Sequence, residues 1–251
     1  MSAGDPVLER ALTQLKERLR QAHHVVALTG AGVSAESGVP TFRGEGGLWR
    51  SHRAVDLATP EAFARDPRLV WAFYNWRREL LAPLSPNPGH RALAAMERRL
   101  PRFTLVTQNI DNLHREAGSR NVLELHGNIW RVRCTRCGVT SEDRRVPLPE
   151  LPTCGVCGGL LRPDVVWFGE ALDPEVLERV YEGLRSCDLM LVIGTSAVVQ
   201  PAASMGLYAR KHGAFVAEIN LEPTPFSSML DVSLLGKAGE ILPRLVEPEA
   251  A

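Results

Sequence analysis

The sequence predicts an α/β protein in which a doubly wound, Rossmann-like parallel sheet carries a smaller inserted domain. Short apolar runs of strand type alternate with segments of helical periodicity, an order typical of parallel sheets with helices on both faces. Residues 130–165 interrupt this order with arginines, prolines, glycines and four paired cysteines. We predict that the larger domain is formed by residues 1–44, 83–129 and 166–251, and the smaller one by residues 45–82 and 130–165.

The individual elements can be placed in order along the chain. Residues 7–21 repeat leucine at helical spacing, and Pro201 to His212 reads as a helix with Gly213 as its stop. Four further helices begin where a capping side chain precedes proline, at Thr59-Pro60, Asp66-Pro67, Asn87-Pro88 and Asp173-Pro174. The predicted strands span residues 24–29, 103–107, 121–125, 188–193, 215–219 and 232–235, and a C-terminal helix follows.

The bulk composition excludes several classes of protein. The 251 residues include 29 Lys or Arg and 29 Asp or Glu, so no net charge attracts nucleic acid or an anionic membrane. Residues 1–20 contain no apolar signal core, and no apolar run approaches the roughly 18 residues that span a bilayer. We therefore expect a soluble cytoplasmic protein without nucleic-acid or membrane partners. The sequence does not determine the oligomeric state, and a monomer is one alternative that it leaves open.

A glycine-rich turn follows the first predicted strand. Gly30, Ala31 and Gly32 let backbone N–H groups approach a phosphate, although small residues also serve tight turns without any ligand. An ordinary dinucleotide fingerprint would continue as a long helix, whereas Ser37-Gly38-Val39-Pro40 interrupts it at once. Thr41-Phe42-Arg43 then offers a hydroxyl, an aromatic ring and a cation in a loop that can cover a bound ligand.

Polar side chains follow two other predicted strands. Gln108-Asn109-Ile110-Asp111 follows one strand and His126 follows another, at the edge where open α/β sheets bind ligands. His126 is the best general-base candidate because imidazole titrates near neutral pH. Taken alone, Asp111 could equally cap a helix, and a histidine at a strand end is more often structural. Of the other histidines, His114 is predicted to be structural. The remaining five are predicted to lie in solvent or at the boundary of the core: His23, His24, His52, His90 and His212.

Four of the five cysteines form two tight pairs. Cys134-x-x-Cys137 and Cys154-x-x-Cys157 are separated by sixteen residues, which is the spacing of a tetrahedral zinc site. Two disulfides are disfavoured by this regular spacing. Because four thiolates leave no open coordination position, we predict a structural Zn²⁺ and not a catalytic one.

Together these stretches resemble the sirtuin family of NAD-dependent protein lysine deacylases. The shared motifs occur in the family's order and cover residues 22–245. They are Gly30-Ala31-Gly32-x-Ser34, Ser37-Gly38-x-Pro40-x-Phe42-Arg43, Thr107-Gln108-Asn109-Ile110-Asp111, His126-Gly127, the paired cysteines, Gly194-Thr195-Ser196 and Asn220. The combined set is far more specific than any single motif.

The resemblance implies that NAD is consumed as a co-substrate. The acyl oxygen of an acylated lysine would attack the nicotinamide ribose, with His126 deprotonating a ribose hydroxyl and Asn109 assisting. The products would be nicotinamide, lysine and O-acyl-ADP-ribose. The implied cofactor-binding residues are Gly30, Ala31, Gly32, Ser34, Thr41, Phe42, Arg43, Trp49, Gln108, Asn109, Ile110, Asp111, Gly194, Thr195, Ser196, Asn220, Leu221, Glu222 and Ala238.

Two side chains are candidates for binding the acyl group. Tyr74 and Arg77 share a helix face, and an arginine fork matches a carboxylate, although spacing alone favours a solvated arginine. The pair resembles the sirtuin class III enzymes that remove succinyl and malonyl groups, so we expect those activities, with deacetylation alongside. The resemblance also implies that Val166, Trp167, Phe168 and Gly169 pair with the substrate peptide as an added strand.

Three alternatives stay open at this point. The enzyme could be chiefly a deacetylase, or it could transfer ADP-ribose to protein. A nucleic-acid-binding zinc ribbon is the alternative outside enzymes. It rests on Arg131, Arg133, Arg136, Arg144 and Arg145, which Glu142 and Asp143 interrupt.

Overall fold

The computed structural model describes residues 5–40, 48–49 and 52–246. The α-helices are α1 (Pro6–Gln21), α2 (Ala31–Ala35), α3 (Ala54–Leu57), α4 (Pro60–Arg65), α5 (Pro67–Leu81), α6 (Pro88–Arg99), α7 (Leu113–Glu116), α8 (Pro174–Ser186), α9 (Met205–Lys211) and α10 (Ala238–Leu245). The strands are β1 (His24–Thr29), β2 (Leu48–Trp49), β3 (His52–Arg53), β4 (Arg102–Thr107), β5 (Val122–Glu124), β6 (Gly127–Cys134), β7 (Thr140–Glu142), β8 (Leu161–Val165), β9 (Leu189–Ile193), β10 (Phe215–Asn220) and β11 (Val232–Leu235).

The main sheet has six parallel strands in the order β11-β10-β9-β1-β4-β5. All six residues of β1 are buried because the strand lies between β4 and β9 and is covered on both faces. One apolar cluster packs α1, α6 and α10 on one face, and another packs α8 and α9 on the opposite face. The predicted doubly wound α/β fold is therefore confirmed.

The capping signals locate the helix starts. Thr59 and Asp66 accept backbone N–H groups at the first turns of α4 and α5, and Asn87 and Asp173 do the same for α6 and α8. In each case proline occupies the first helical position, where its missing N–H costs nothing. Among the described residues, no helix is both long and apolar enough to cross a membrane.

Two predictions differ from the observed elements. The helix expected from Pro201 begins as a short 3₁₀ segment, Ala202–Ser204, and becomes α-helical at Met205. The Ser204 hydroxyl donates to the Pro201 carbonyl, a local bond that competes with the regular helical ladder. Residues 130–165, expected to lack periodicity, contain most of an antiparallel sheet of order β7-β6-β8. All three residues of β7 are exposed, so the sequence shows no alternation there.

A third apolar cluster lies beside the main sheet. It joins side chains of residues 49–81 to side chains of residues 129–167. Arg78 of α5 reinforces this contact, because its guanidinium donates to the carbonyl oxygens of Ile129, Asp143 and Arg145. The two segments assigned from sequence to the smaller domain thus pack together, and the exact domain boundaries stay a prediction.

Candidate active site

The glycine turn brings two loops of the sheet edge into direct contact. Gly30 donates its N–H to the Ile193 carbonyl, and Gly32 donates to the Gly194 carbonyl. A Cβ atom on Gly30 would lie 2.8 Å from the Gly194 oxygen, and one on Gly32 would lie 2.7 Å from the Gly194 Cα. Both contacts are with backbone that cannot move aside easily. Glycine is therefore required by the packing of the turn itself, and the short helix α2 follows directly.

The side chain of Asn109 is held in one orientation. Its Nδ2 atom donates to the Gly30 carbonyl at 3.0 Å and to the Ser34 hydroxyl at 3.1 Å, and its backbone N–H donates to the Thr107 hydroxyl at 3.1 Å. These bonds use both amide hydrogens. The carbonyl oxygen of the Asn109 side chain is consequently left as an acceptor in the adjoining cavity.

Ser34 is part of a directed chain of hydrogen bonds. The Asn87 backbone N–H donates to Nδ1 of His90, so the other ring nitrogen of a neutral His90 carries the hydrogen and donates to Ser34 Oγ at 3.3 Å. Ser34 already accepts from Asn109, and its own hydroxyl hydrogen bonds to Asp111. The buried histidine thus orients the serine hydroxyl toward the carboxylate.

Asp111 lies one residue before Asn112, which is the N-cap of α7, so it is not the N-cap itself, yet its side chain still accepts from the first helical N–H and lines the cavity. Its Oδ1 accepts from the Leu113 N–H at 2.9 Å, at the start of α7. Burial raises the pKa of Asp111, and the bonds from Leu113 and Ser34 together with the charge of Arg77 oppose that rise. The side chain is both a structural acceptor and a cavity residue.

His90 and His24 correct the sequence prediction of solvent or boundary histidines. His90 is fully buried, and burial lowers its pKa to about 4. His24 is 5% exposed; its Nε2 lies 3.3 Å from the Thr104 hydroxyl, and its Nδ1 lies 3.2 Å from that of Ser186. In both cases a hydroxyl group from a distant segment hydrogen-bonds the buried imidazole, and this bond offsets the cost of removing the ring from water.

His126 occupies the position expected of a base. Its Nδ1 lies 2.8 Å from the Gln108 carbonyl oxygen, which can only accept a hydrogen bond. Nδ1 therefore carries the hydrogen, and Nε2 of the neutral ring keeps a free lone pair. Burial lowers the pKa of His126, and the bond to Gln108 partly opposes this shift.

A cavity of about 470 Å³ collects most of the predicted site residues. The predicted cofactor and catalytic residues that line it are Gly30, Ala31, Ser34, Gln108, Asn109, Ile110, Asp111, His126, Thr195 and Ser196. The predicted substrate residues that line it are Tyr74, Arg77, Val166, Trp167, Phe168 and Gly169. Val39 and Pro40, which belong to the quoted stretch Ser37-Gly38-Val39-Pro40, also line it. Sequence reasoning missed Leu81, Val165, Leu172, Val199 and Gln200, of which only Val165 adjoins a quoted segment.

A second cavity of about 460 Å³ lies on the other side of the glycine turn. The predicted residues Gly32, Gly194, Asn220, Leu221 and Ala238 line it. Asn220 is fixed because its Nδ2 donates to the Thr195 carbonyl at 2.8 Å. Glu36 and Lys237 also line this cavity and were not predicted.

Two predicted cofactor residues that the structure describes, Trp49 and Glu222, line neither of these two cavities. Thr41, Phe42 and Arg43 lie outside the described residues. Trp49 is buried against the rings of Phe73 and Trp76 and borders a different cavity. Glu222 is exposed, next to the lining residue Leu221. The cofactor roles of these five residues stay predictions.

The two side chains of the acyl-binding prediction, Tyr74 and Arg77, both line the first cavity. Tyr74 is 1% exposed, and its hydroxyl accepts from Trp167 Nε1 at 2.9 Å. Burial raises the pKa of Tyr74 and lowers the pKa of Arg77, while the proximity of Tyr74 and Asp111 favours the charged form of Arg77. Tyr74 is therefore a core residue that also faces the cavity, and Arg77 is a partly buried cation beside it.

The segment predicted to bind peptide is anchored on both sides. The Val166 N–H donates to the His126 carbonyl at 2.9 Å, and the Phe168 N–H donates to the Ala58 carbonyl at 2.9 Å. Between them, the Trp167 N–H donates to Glu170 Oε2 at 2.8 Å. The side chain of Phe168 stays 53% exposed at the cavity mouth.

The four paired cysteines converge. Their Sγ atoms lie within 4.8 Å of one another, and two of the separations are 3.4 Å and 3.8 Å. A tetrahedral zinc ion with Zn–S bonds of about 2.3 Å needs S–S distances of about 3.8 Å. Backbone N–H groups of residues 136 and 137 also donate to Cys134 Sγ, as suits a thiolate. Cys134, Cys137, Cys154 and Cys157 are thus positioned to bind zinc.

The arginines near this cluster have specific partners. Arg131 pairs with Glu124 and Asp164, Arg133 with Asp164, Arg144 with Glu116 and Glu142, and Arg145 with Asp143, while Arg136 donates to the Cys157 carbonyl. These contacts account for the positive residues on which the nucleic-acid alternative rested.

The fold and the site together define a class of protein. A parallel sheet with a glycine turn at its carboxyl edge, which shares a cavity with a neutral histidine, is typical of a nucleotide-dependent α/β enzyme. The chain belongs to the Sir2 family, whose family model matches residues 30–201.

Similar proteins agree with this assignment. An "NAD-dependent protein deacylase" of Pyrococcus furiosus is 52% identical over 242 residues, 94% of this chain and 97% of the relative. The "NAD-dependent protein deacylase sirtuin-5, mitochondrial" of Canis lupus familiaris is 47% identical over 264 residues, 94% and 85% of the two chains. A crystal structure described as a Sir2 homolog–NAD complex has a TM-score of 0.89 and 50% identity, and covers 93% of this chain and 91% of that one.

Proposed function

We propose that this Sir2-family chain is an NAD-dependent protein lysine deacylase whose preferred substrates carry acidic acyl groups. The supporting observation is the single cavity that joins Asn109, Asp111 and His126 to Tyr74 and Arg77. One end offers the acceptors and the base needed at a ribose, and the other offers a hydroxyl and a guanidinium. The deacylase activity agrees with the close relatives, and the acyl preference is the finer part of the proposal.

The residues at the first end fit the cofactor. When bound, NAD supplies a ribose carbon that loses nicotinamide as the acyl oxygen attacks it. Asn109 presents its side-chain oxygen because both of its amide hydrogens are engaged. His126 accepts the proton of a ribose hydroxyl at Nε2, the nitrogen that its bond to Gln108 leaves unprotonated. One water molecule is consumed when the amine is released, and nicotinamide, the free lysine and O-acyl-ADP-ribose are the expected products.

The second cavity suits the adenosine part of the cofactor. Asn220 and Leu221 lie at the end of β10, the position where α/β sheets hold nucleotides. Gly30 and Ala31 line the first cavity and Gly32 lines the second, so the glycine turn borders both. We therefore place the phosphates across the glycine turn, with the two ends of the dinucleotide in the two cavities.

The acyl preference follows from charge. A succinyl or malonyl group places a carboxylate near the guanidinium of Arg77, and a partly buried arginine fork binds such a group strongly. An acetyl group brings no charge to this end. Tyr74 adds a hydroxyl beside the guanidinium, so two side chains of α5 can bind the same carboxylate.

One comparison tests the proposal. We expect NAD-dependent release of succinyl and malonyl groups to exceed release of acetyl from the same peptide. Arg77→Met should lower kcat/KM for the succinyl peptide by about 10-fold or more, in line with the loss of a charged hydrogen bond. Arg68→Met is the matched control, since Arg68 lies on the same helix but is exposed and paired with Glu150. Equal losses on succinyl and acetyl peptides in Arg77→Met would contradict the acyl role.

Other parts of the sequence prediction need their own measurements. The substrate is expected to be an acylated lysine within a protein, with no nucleic-acid or membrane partner. The cytoplasmic location stays a prediction, which cell fractionation would test. Light scattering of the purified chain would determine the oligomeric state, which the sequence leaves open.

A further inference from the structure

The indole of Trp167 connects two parts of the site that the proposed function treats separately. Trp167 belongs to the segment that should bind the substrate backbone, whereas its Nε1–H donates to the Tyr74 hydroxyl at 2.9 Å. Both side chains are buried, with 2% and 1% of their surfaces exposed. Both residues line the cavity that should receive the acyl group.

The hydrogen-bond roles at the Tyr74 hydroxyl are determined by its neighbours. An indole N–H can only donate, and so can the guanidinium of Arg77, which also hydrogen-bonds Tyr74. The oxygen of Tyr74 therefore accepts from both. Its own hydrogen must go to an acceptor other than these two groups, and burial raises the pKa of Tyr74, which keeps that hydrogen in place. A carboxylate on the acyl group is such an acceptor, and an acetyl methyl group is not.

Trp167 is itself held firmly in position. The guanidinium of Arg162 lies 3.4 Å from the centroid of the indole ring and forms a two-bonded ion pair with Glu170. Glu170 in turn accepts the backbone N–H of Trp167, and the ring of Phe63 packs at 5.2 Å on the indole. The direction of the indole N–H is therefore determined by the surrounding contacts.

We infer that Trp167 is a specificity-determining positioning residue, which orients the Tyr74 hydroxyl so that it donates to the carboxylate of an acidic acyl group. This inference rests on the proposed acidic-acyl preference and assigns part of that preference to the hydrogen bond from Trp167 to Tyr74. The same residue provides backbone to the peptide-binding segment. Recognition of the peptide and selection of the acyl group thus share one side chain.

A double-mutant cycle tests the inference on one peptide carrying either a succinyl or an acetyl group. Trp167→Phe keeps an aromatic ring but removes the N–H donor. We expect it to lower kcat/KM for the succinyl peptide by about 3- to 10-fold, the usual effect of one hydrogen bond, mainly through KM. Turnover of the acetyl peptide should change less than about twofold. In the Tyr74→Phe background, Trp167→Phe should cause no further loss, because the acceptor is already gone.

Trp71→Phe is the matched control. Trp71 lies on the same helix as Tyr74 and donates its own buried indole N–H, to the Leu161 carbonyl at 2.9 Å, but it does not line the cavity. The succinyl-to-acetyl ratio should be unchanged in this variant. A proportional loss on both peptides in Trp167→Phe, or equal losses with and without Tyr74, would overturn the inference.

The wild-type enzyme alone tests the proposed function, separately from the variants that test the role of Trp167. If the wild-type enzyme shows no preference for the succinyl peptide, the acyl proposal fails before any variant is made. If Trp167→Phe does not fold, NMR of the indole N–H groups provides the test. Tyr74→Phe should then move one of the five tryptophan indole signals upfield, since its acceptor is lost. An unchanged set of indole signals would overturn the role of Trp167.

Discussion

The Nδ1 atom of His126 lies 2.8 Å from the carbonyl oxygen of Gln108, and this contact determines the tautomer of the ring. Gln108 begins the loop that also carries Asn109 and Asp111. One backbone carbonyl therefore aligns the base with the residues expected around the nicotinamide ribose. Burial lowers the pKa of His126, so the ring is neutral and ready to accept a proton at neutral pH.

This geometry predicts the acid limb of the pH–rate profile. Since the pKa of His126 lies below the ordinary value of 6.5, the base is lost only when the pH falls below that value. We expect kcat/KM to decline as the pH falls below 6.5. Above that pH we expect no decline that is due to His126. In His126→Tyr, product formation should fall by at least about 100-fold, as for a lost general base, while NAD binding by calorimetry persists. Normal turnover in this variant would remove His126 from the chemistry.

The cysteine cluster predicts one zinc ion per chain. Elemental analysis of the purified protein should find this stoichiometry, and Cys134→Ser should lower both the zinc content and the melting temperature. Cys187→Ser is the control, because Cys187 is buried in the cluster that packs α8 on the main sheet and should leave zinc bound. Active protein without zinc would contradict a structural metal site.

Arg78 has no catalytic role, but we expect its substitution to lower the stability of the protein strongly. Its side chain is fully buried, its guanidinium lies 4.9 Å from the centroid of the Trp130 ring, and it donates to three backbone carbonyls. Burial lowers its pKa to about 10, which still leaves it charged at neutral pH. Arg78→Met should lower the free energy of unfolding by about 2–4 kcal/mol, since buried carbonyl groups lose their donors.

Urea unfolding measures this effect against two further variants. Arg78→Lys should not restore stability, because an ammonium group cannot reproduce the planar fork that reaches separate carbonyls. Arg68→Met removes an exposed ion pair from the same helix and should cost less than about 1 kcal/mol. Similar losses at both arginines would mean that the buried fork has no special role.

The sequence was sufficient for features that depend on local patterns. Proline after a capping residue located α5 and α6, and the spacing of the paired cysteines predicted a metal site whose four sulfur atoms the fold brings together. The polar residues after β4 were placed at the sheet edge because parallel strands share a direction. These predictions needed no knowledge of which helix packs where.

Features that depend on distant partners could not be predicted. Tyr74 and Trp167 are separated by 93 positions, so nothing local shows that one donates to the other. Arg78 looks like an ordinary surface arginine until Ile129 and its neighbours surround it. His90 resembles a helix-surface residue in sequence, yet Ser34 of α2 covers one of its ring nitrogens.

The buried histidines predict a loss of stability in acid. The pKa of His90 is about 4 in the folded protein and about 6.5 when unfolded, and burial also places the pKa of the adjacent His114 well below 6.5. Between these values the unfolded chain binds more protons than the folded one. Stability is therefore fully present above pH 6.5 and falls as the pH drops toward 4. For His90 alone the loss between pH 7.5 and 4.5 should be about 2.5 kcal/mol.

Urea unfolding at pH 7.5, 5.5 and 4.5 measures this slope. His90→Met lacks the titrating ring, so its stability should decline less steeply with acid than that of the wild type, even though it starts from a lower value. His52→Met is the control, since His52 is exposed on β3 and its removal should leave the slope unchanged. An identical slope in His90→Met and wild type would show that His90 accepts a proton in the folded protein. The directed chain from Asn87 through His90 to Ser34 would then be wrong, because a protonated ring has no acceptor for the Asn87 N–H.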